Sequence, residues 1–351
     1  MPTASLFKPL LILTCAAVLL ALMHLAASFL TPIFLAGFFA MLLTPLYRWL
    51  KQKRIPNGPA LLLTMSVLII VVLFLIRLVG NSMTTLVADL SSYSDQITQR
   101  LAELGAQAQT TDSTGSLQLL LSSVTPSTLV GILRSFISAI AGVLSSSFII
   151  LLIIMFVLAE GPSFIRRLRQ SFGADHFLPQ NVTRLARLMI SYFGLRALVN
   201  LVVATATGLM FWLVGIPDAG LWAVLTFFLS FIPYIGAFVA GIPPVLLAFA
   251  QGGLALALVV VVLMVLINTL CENIVAPMIM GKGLSVSPTI VFLSFLFWMF
   301  ILGGSGALIA MPLTLGVILF MRSFEETRNL VAAVIIVPGS DEEPVQEPSK
   351  A

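Results

Sequence analysis

The sequence predicts an all-α integral membrane protein, and three observations carry that prediction. Of the 351 residues, 59% are apolar and only 9% charged, against about one quarter charged in soluble domains. Apolar runs of about 20 residues, enough to span a hydrocarbon core about 30 Å thick, recur along the chain. The basic residues gather in particular short loops instead of spreading over a surface. A net charge of +4 is too small to indicate a nucleic-acid partner. The expected surroundings are membrane lipid. Cys15 and Cys271 stand far apart in apolar runs, so no disulfide framework, metal site or cofactor is expected.

Five full-length spans are expected, at 10–30, 31–47, 59–80, 135–159 and 194–215. The second is short and bounded by Pro32 and Pro45, and the first two are expected to form a tight hairpin. The start resembles a signal peptide, yet more spans follow and 26–28 is a weak cleavage site, so a retained first helix is expected. Arg48, Lys51, Lys53 and Arg54 fall together without an acid, which places their loop and the N-terminus inside. Residues 81–134 carry Asp89, Asp95, Glu103 and Asp112 against Arg100 and Arg134 and suit the outside. Arg166, Arg167, Arg169, Arg184 and Arg187 then return the chain to the inside.

Five regions follow: residues 1–80 with three helices, an outer segment 81–134, a fourth helix and basic loop at 135–193, a core 194–325, and a cytoplasmic tail 326–351. In the outer segment Met83, Leu86, Val87, Leu90, Ile97, Leu101 and Leu104 recur at helical spacing, which predicts an amphipathic helix. A polar linker at 105–116 and a second amphipathic stretch at 117–136 come next. Phe164, Ile165, Leu168 and Phe172 beside the arginines describe a helix lying on an anionic leaflet. After Pro338 the tail is acidic and proline-rich, and disorder is expected there.

The core differs in build. Residues 219–250 are nearly uncharged and are interrupted at Phe231-Ile232-Pro233-Tyr234-Ile235-Gly236, where Pro233 and Gly236 break a helix. Each arm reaches only about 21–23 Å, less than the hydrocarbon thickness. A further span at 254–271 follows. The pattern then recurs as arms 288–302 and 307–321 joined at Gly303-Gly304-Ser305-Gly306. Flanking charges send the first hairpin in from outside and the second from inside, so the two oppose each other. Broken backbone at membrane depth needs protein or water to satisfy it, so facing tips imply a polar cavity, as in secondary transporters. The competing reading makes each run a kinked helix or a full-span hairpin.

Between the hairpins stand Asn268, Glu272 and Asn273, then Pro277 and Gly281. A carboxylate adjoining an apolar span is a functional candidate by default; the bland alternative is a cap at the interface. Asn268 shares its helical face, and together they could bind a polar solute, or Glu272 a coupling ion, H+ or Na+. Arg196 has two readings: pairing with Glu272 or an anionic solute, and snorkelling to the headgroups, which is favoured. Arg77 is read as snorkelling, His24 as a packed or interfacial residue, and His176 as a loop residue. No enzyme is expected. There is no HExxH, Gly281-Lys282 lacks the earlier glycine of a phosphate loop, and Ser305 has only His24 and His176 upstream as bases.

Gly208, Gly215-Ile216-Pro217, Leu221-Trp222, the Phe231 to Gly236 run, Pro243, Glu272-Asn273, Pro277, Gly281, Gly303, Gly306 and Pro312 together resemble the autoinducer-2 exporter family of bacterial membrane proteins. The resemblance covers roughly residues 190–315. It implies a multi-helix, homo-oligomeric transporter moving a small organic signal molecule outward; the expected location is the bacterial inner membrane, with both termini cytoplasmic from the loop charges. Some relatives are instead regarded as sodium or lithium/proton antiporters. The expected function is gradient-driven export of a small polar solute bound between the tips Pro233, Tyr234, Gly236 and Gly303 to Gly306, near Asn268 and Glu272. The alternatives are an antiporter titrating Glu272 and a membrane scaffold for envelope partners.

Overall fold

The computed structural model describes residues 14–15, 17–89, 92–93, 95–100, 103, 131, 147–173, 176–232, 235–280 and 288–321. Every regular element among them is helical. The linker at 105–116, the second amphipathic stretch at 117–136, Pro233, Tyr234, Gly281 and the tail lie outside the described residues.

Residues 17–25 are helical and lead through one irregular turn at Ala26 into α1, Ala27–Gln52. The Ala26 N–H donates to Leu22 O at 2.9 Å and the Leu30 N–H to Ala26 O at 2.9 Å. The ladder therefore carries through, and the tight hairpin expected near residue 30 does not form. Pro32 and Pro45 both lie within α1. A proline removes one ladder bond and kinks a helix, but a reversal needs several residues out of the ladder. Here only Ala26 leaves it.

Left-handed Arg54, φ 63°, turns the chain into α2, Asn57–Ala88. Its apolar portion, Asn57–Leu86, has 30 residues, about 45 Å at 1.5 Å per residue, which is ample to span. Beyond it Leu86, Tyr93 and Ile97 are buried on one side while Asp89, Asp95 and Gln99 are exposed. The amphipathic outer helix is present there.

The expected fourth span and the basic surface helix are one element, α3, Ser147–Phe172. It bends by 47° between Phe148–Gly161 and Ser163–Phe172, at Pro162, so its basic end leaves the axis of the apolar part. Likewise α4, Phe177–Val214, begins in the predicted basic loop and continues as the fifth span. It ends in a Schellman motif: the Ile216 N–H donates to Phe211 O at 2.9 Å and the Gly215 N–H to Trp212 O at 3.2 Å.

The remainder is broken helix. Helix α5, Ala219–Leu229, leads through the tip to α6, Gly236–Leu270, which itself breaks at Gly253 (φ 67°, ψ −160°). A π-helical turn, Cys271–Val275, and α7, Ala276–Met280, continue it. The second hairpin is α8, Pro288–Leu302, then Gly303 (φ 71°, ψ −161°) and α9, Gly304–Leu308, then α10, Ala310–Met321. Gly253 and Gly303 share a backbone conformation that is essentially confined to glycine. Each of these breaks is thereby written into a single residue.

Among the described residues four helices are long and apolar enough to cross a membrane, five with the bent α3. Their outward faces stay apolar: Phe74, Phe148 and Trp212 are 60%, 72% and 68% exposed. Contiguous surfaces of that kind suit lipid, not water. One buried core joins α1, α3, α4 and the second hairpin through Phe38, Ile154, Phe193, Trp298 and Ile309. Another joins α4, α5, α6 and the outer helix through Ile97, Phe211, Trp222 and Leu247.

These anchors orient the hairpins. Arg100 of the outer helix donates to Gln251 O at 3.3 Å, so the open end of the first hairpin faces the outer segment. Its tip points the other way, with Phe231 against Phe38 in an edge-on ring contact at 5.1 Å. The tip of the second hairpin reaches Thr31, whose hydroxyl donates to Leu302 O at 3.5 Å. That level is seven residues nearer the N-terminal end of α1, about 10 Å higher. Val291 near the other end of α8 belongs to the core containing Leu35 to Ala40, so this hairpin extends back toward the basic end of α1. The two hairpins are opposed, as predicted, but their tips pass each other.

Candidate functional site

A helix that stops inside a membrane leaves its last carbonyls without ladder partners, and in lipid each must be satisfied by protein or water. Helix α5 stops at Leu229. The Thr226, Phe228 and Leu229 carbonyls accept from the N–H groups of Ser230, Phe231 and Ile232. Two acceptors remain, and α4 supplies their donors. Arg196 Nη2 donates to Ser230 O at 2.9 Å, and Asn200 Nδ2 donates to Phe227 O at 3.3 Å. Arg196 and Asn200 are four residues apart and so lie on one face of α4. A cation at a helix C-terminus also meets the negative end of the macrodipole.

Arg196 then does more. Its Nη1 donates to Glu272 Oε2 at 3.0 Å and its Nη2 to Glu272 Oε1 at 2.7 Å. This is the bidentate fork geometry, which strengthens and orients a charged hydrogen bond. The arginine is 6% exposed, so its snorkelling reading is overturned: its charge is neutralised inside the protein. The Glu272 side chain keeps 25% of its surface, and the pair opens on that side. Glu272 sits in the π-turn, where an extra residue in the turn shifts the face that side chains present, a device frequent at functional sites.

Two buried polar atoms of this cluster, Asn200 Oδ1 and Ser230 Oγ, have no hydrogen-bond partner among the described residues. Asn200 is 0% exposed and Ser230 4%. Native structures leave few such atoms unmatched. An amide oxygen and a hydroxyl beside an Arg–carboxylate pair can receive a small molecule bearing hydroxyls, or water.

The other predicted residues are distributed unevenly. Asn268 is half-buried, one turn before Glu272. Asn273 is exposed and its amide donates back to Thr269 O at 2.9 Å, so it serves its own helix. Pro277 is exposed and follows the start of α7. Gly236 lies at the first tip, hard against the Leu229 carbonyl oxygen. Gly303, Gly304, Ser305 and Gly306 form the second tip, where Gly306 presses on the Trp298 carbonyl. A side chain at Gly236 or Gly306 would collide with backbone, whereas Gly304 faces open space.

The second tip is served by α1 and the turn before it. His24 Nδ1 lies 3.0 Å from Phe300 O and 3.2 Å from Ile301 O, a shared donation, and its ring stacks on Phe300 at 5.5 Å. With Thr31 on Leu302 O, three terminal carbonyls of α8 are covered. His24 is thus a packed capping residue. Both hairpins solve one problem alike: the first arm ends inside the bundle and a neighbouring helix lends the donors.

Asn200, Ser230 and Thr31 escape the sequence reading, being ordinary polar residues in apolar runs. The signal for Asn200 is its spacing of four from Arg196.

Opposed broken helices around a buried charge pair, within a bundle of lipid-length spans, define a multi-pass membrane protein with an internal polar site. Over residues 13–326 the chain matches the family described as AI-2E family transporter. The protein belongs to that family of transporters. It is 28% identical to the AI-2 transport protein TqsA of Escherichia coli K12, over 88% of this chain and 90% of TqsA. A Haemophilus influenzae protein is 27% identical over 92% of this chain and 94% of its own. YhhT of Escherichia coli K12 is 26% identical over 94% of each.

Proposed function

We propose that this protein is a gradient-driven secondary transporter that exports a small, hydroxyl-bearing organic solute such as autoinducer-2 across the bacterial inner membrane. The basic loop at 48–54 and the C-terminal end are on the cytoplasmic side, the unbroken helix 17–52 puts residue 17 on the opposite side, and copies of the chain assemble as a homo-oligomer, as the family resemblance implies. The observation that carries this reading is the cluster at the first hairpin tip: the Arg196–Glu272 pair with the unmatched Asn200 Oδ1 and Ser230 Oγ. A polyol can donate to Asn200 Oδ1 and Glu272 and exchange with Ser230 Oγ, so each buried polar atom gains a partner when solute binds. The printed name of TqsA, an AI-2 transport protein, points to the same solute class. Transporter membership stands against the scaffold reading.

The antiporter reading places H+ or Na+ on Glu272. The geometry favours it less, because both carboxylate oxygens already hold a guanidinium, and a cation would have to displace that arginine in a poorly solvated place. The test is flux in proteoliposomes under an imposed proton or sodium gradient, with labelled autoinducer-2 and with cations. Solute flux in the wild type, lost in Asn200→Leu and Glu272→Ala, supports the reading. Cation exchange without solute flux overturns it in favour of antiport, and no flux of either kind overturns both.

A further inference from the structure

The basic end of the bundle holds a cavity that the transport reading does not use. About 370 Å³ in volume, it lies where the end of α1, the start of α2 and the bend of α3 meet, lined by Tyr47, Lys51, Asn57, Gly58, Ser163 and Arg166 among others. We propose that this cavity binds the phosphodiester headgroup of an anionic glycerophospholipid.

The charges on its walls are all of one sign. Lys51 and Arg166 bring two positive charges, and no carboxylate is among the lining residues; Glu160, next to Ala159 in sequence, is exposed. Arg166 Nη2 donates to Ser163 Oγ at 3.2 Å. That bond orients the guanidinium and leaves the serine O–H available to an incoming oxygen. Lys51 lies 6.0 Å from the Tyr47 ring centre, which restrains the ammonium on the cavity wall. The 32-residue helix α2 begins at Asn57, and Asn57 and Gly58 of its first turn line the cavity, so the positive end of its dipole adds to the potential of the two side chains.

Membrane lipid is favoured over a free anion by the exposed apolar side chains on the same helices. Trp49, Leu62, Phe156 and Phe164, each within a few residues of a lining position, are 53%, 69%, 56% and 58% exposed. Acyl chains can lie on that apolar surface while the phosphate sits between Lys51 and Arg166. The 47° bend at Pro162 carries Ser163 and Arg166 to the basic end of α1. At that basic, C-terminal end of α1 the bend turns a topology signal into a concave site.

The test uses the full-length protein in detergent, titrated with phosphatidylglycerol, with phosphatidylcholine and with inorganic phosphate, bound molecules being counted by native mass spectrometry. Wild type is expected to retain phosphatidylglycerol over phosphatidylcholine. Lys51→Gln with Arg166→Gln should weaken phosphatidylglycerol binding roughly 30-fold, about fivefold for each cation near a membrane surface. Arg48→Gln with Arg167→Gln removes as much charge at the same end outside the cavity and should leave it unchanged. Equal retention of the two lipids by the wild type, which needs no variant, overturns the proposal. So does an equal loss in the two double variants, which would mean diffuse attraction. Displacement of phosphatidylglycerol by inorganic phosphate at matched concentration would make the site one for a soluble anion and would also overturn it.

Discussion

Arg196 and Glu272, 76 residues apart in sequence, hold each other by two parallel hydrogen bonds of 3.0 and 2.7 Å, while the same guanidinium caps the broken end of α5 through Ser230 O. The pair therefore ties three elements together: α4, the tip of the first hairpin and the π-turn beyond it. Moving the hairpin relative to α4 requires this junction to open or to travel as a unit.

Removing one partner leaves the other charge buried and uncompensated, which costs about 3–5 kcal/mol, whereas replacing both by apolar residues of similar size is often close to neutral. Arg196→Met and Glu272→Leu are each expected to lower the melting temperature in detergent markedly, and the double variant to recover most of the loss. All three should abolish solute flux. Equal destabilisation by the double variant and the sum of the singles would show that the two residues do not interact.

The glycines at the tips separate by position. Gly236→Ala and Gly306→Ala place a methyl group against the Leu229 and Trp298 carbonyls, and Gly303→Ala forces an alanine into φ 71°. Each should cost about 1–3 kcal/mol and reduce flux. Gly304→Ala meets nothing within 4 Å and lies in a helix, so it should be neutral or slightly stabilising. Unfolding temperature and flux measured side by side would show the contrast.

Capping of the second tip by His24 and Thr31 predicts a local effect. Thr31→Val uncovers one terminal carbonyl of α8 and His24→Leu two, each costing about 1–3 kcal/mol where water cannot substitute. Ser305→Cys in these backgrounds should react faster with a water-soluble maleimide than in the wild-type background. Identical labelling rates would mean that the caps do not hold the tip.

Tyr93 in the outer segment offers a check by pH. Burial first, then the nearby carboxylates Asp89 and Asp218, push its phenol above the ordinary value of 10.0. The folded state therefore holds the proton more tightly than the unfolded state. The resulting stability is fully present below pH about 10 and is lost as pH rises through the folded value. In an absorbance titration compared with Tyr93→Phe, the Tyr93 phenolate should appear late, and Asp218→Asn should bring it earlier.

Composition and periodicity were sufficient for everything that depends on a residue's own run of neighbours. Apolar length showed the spans apart from the first two, which join into one helix, the spacing of Leu86 and Ile97 showed the amphipathic outer helix, and the breaks at Gly236 and Gly303 showed the hairpins, because glycine and proline act on the backbone locally. Tertiary structure alone decided what the polar residues in those runs face. Local sequence favoured snorkelling for Arg196, and only the packing of α5 and the π-turn against α4 selected pairing. Asn200, Thr31 and His24 owe their roles to carbonyls contributed from 27 to 277 residues away, and Ser230 owes its role to a guanidinium 34 residues away. The same holds for the hairpin expected near residue 30: whether a proline bends a helix or reverses it depends on the neighbours available to satisfy the freed backbone, and those neighbours come from the fold.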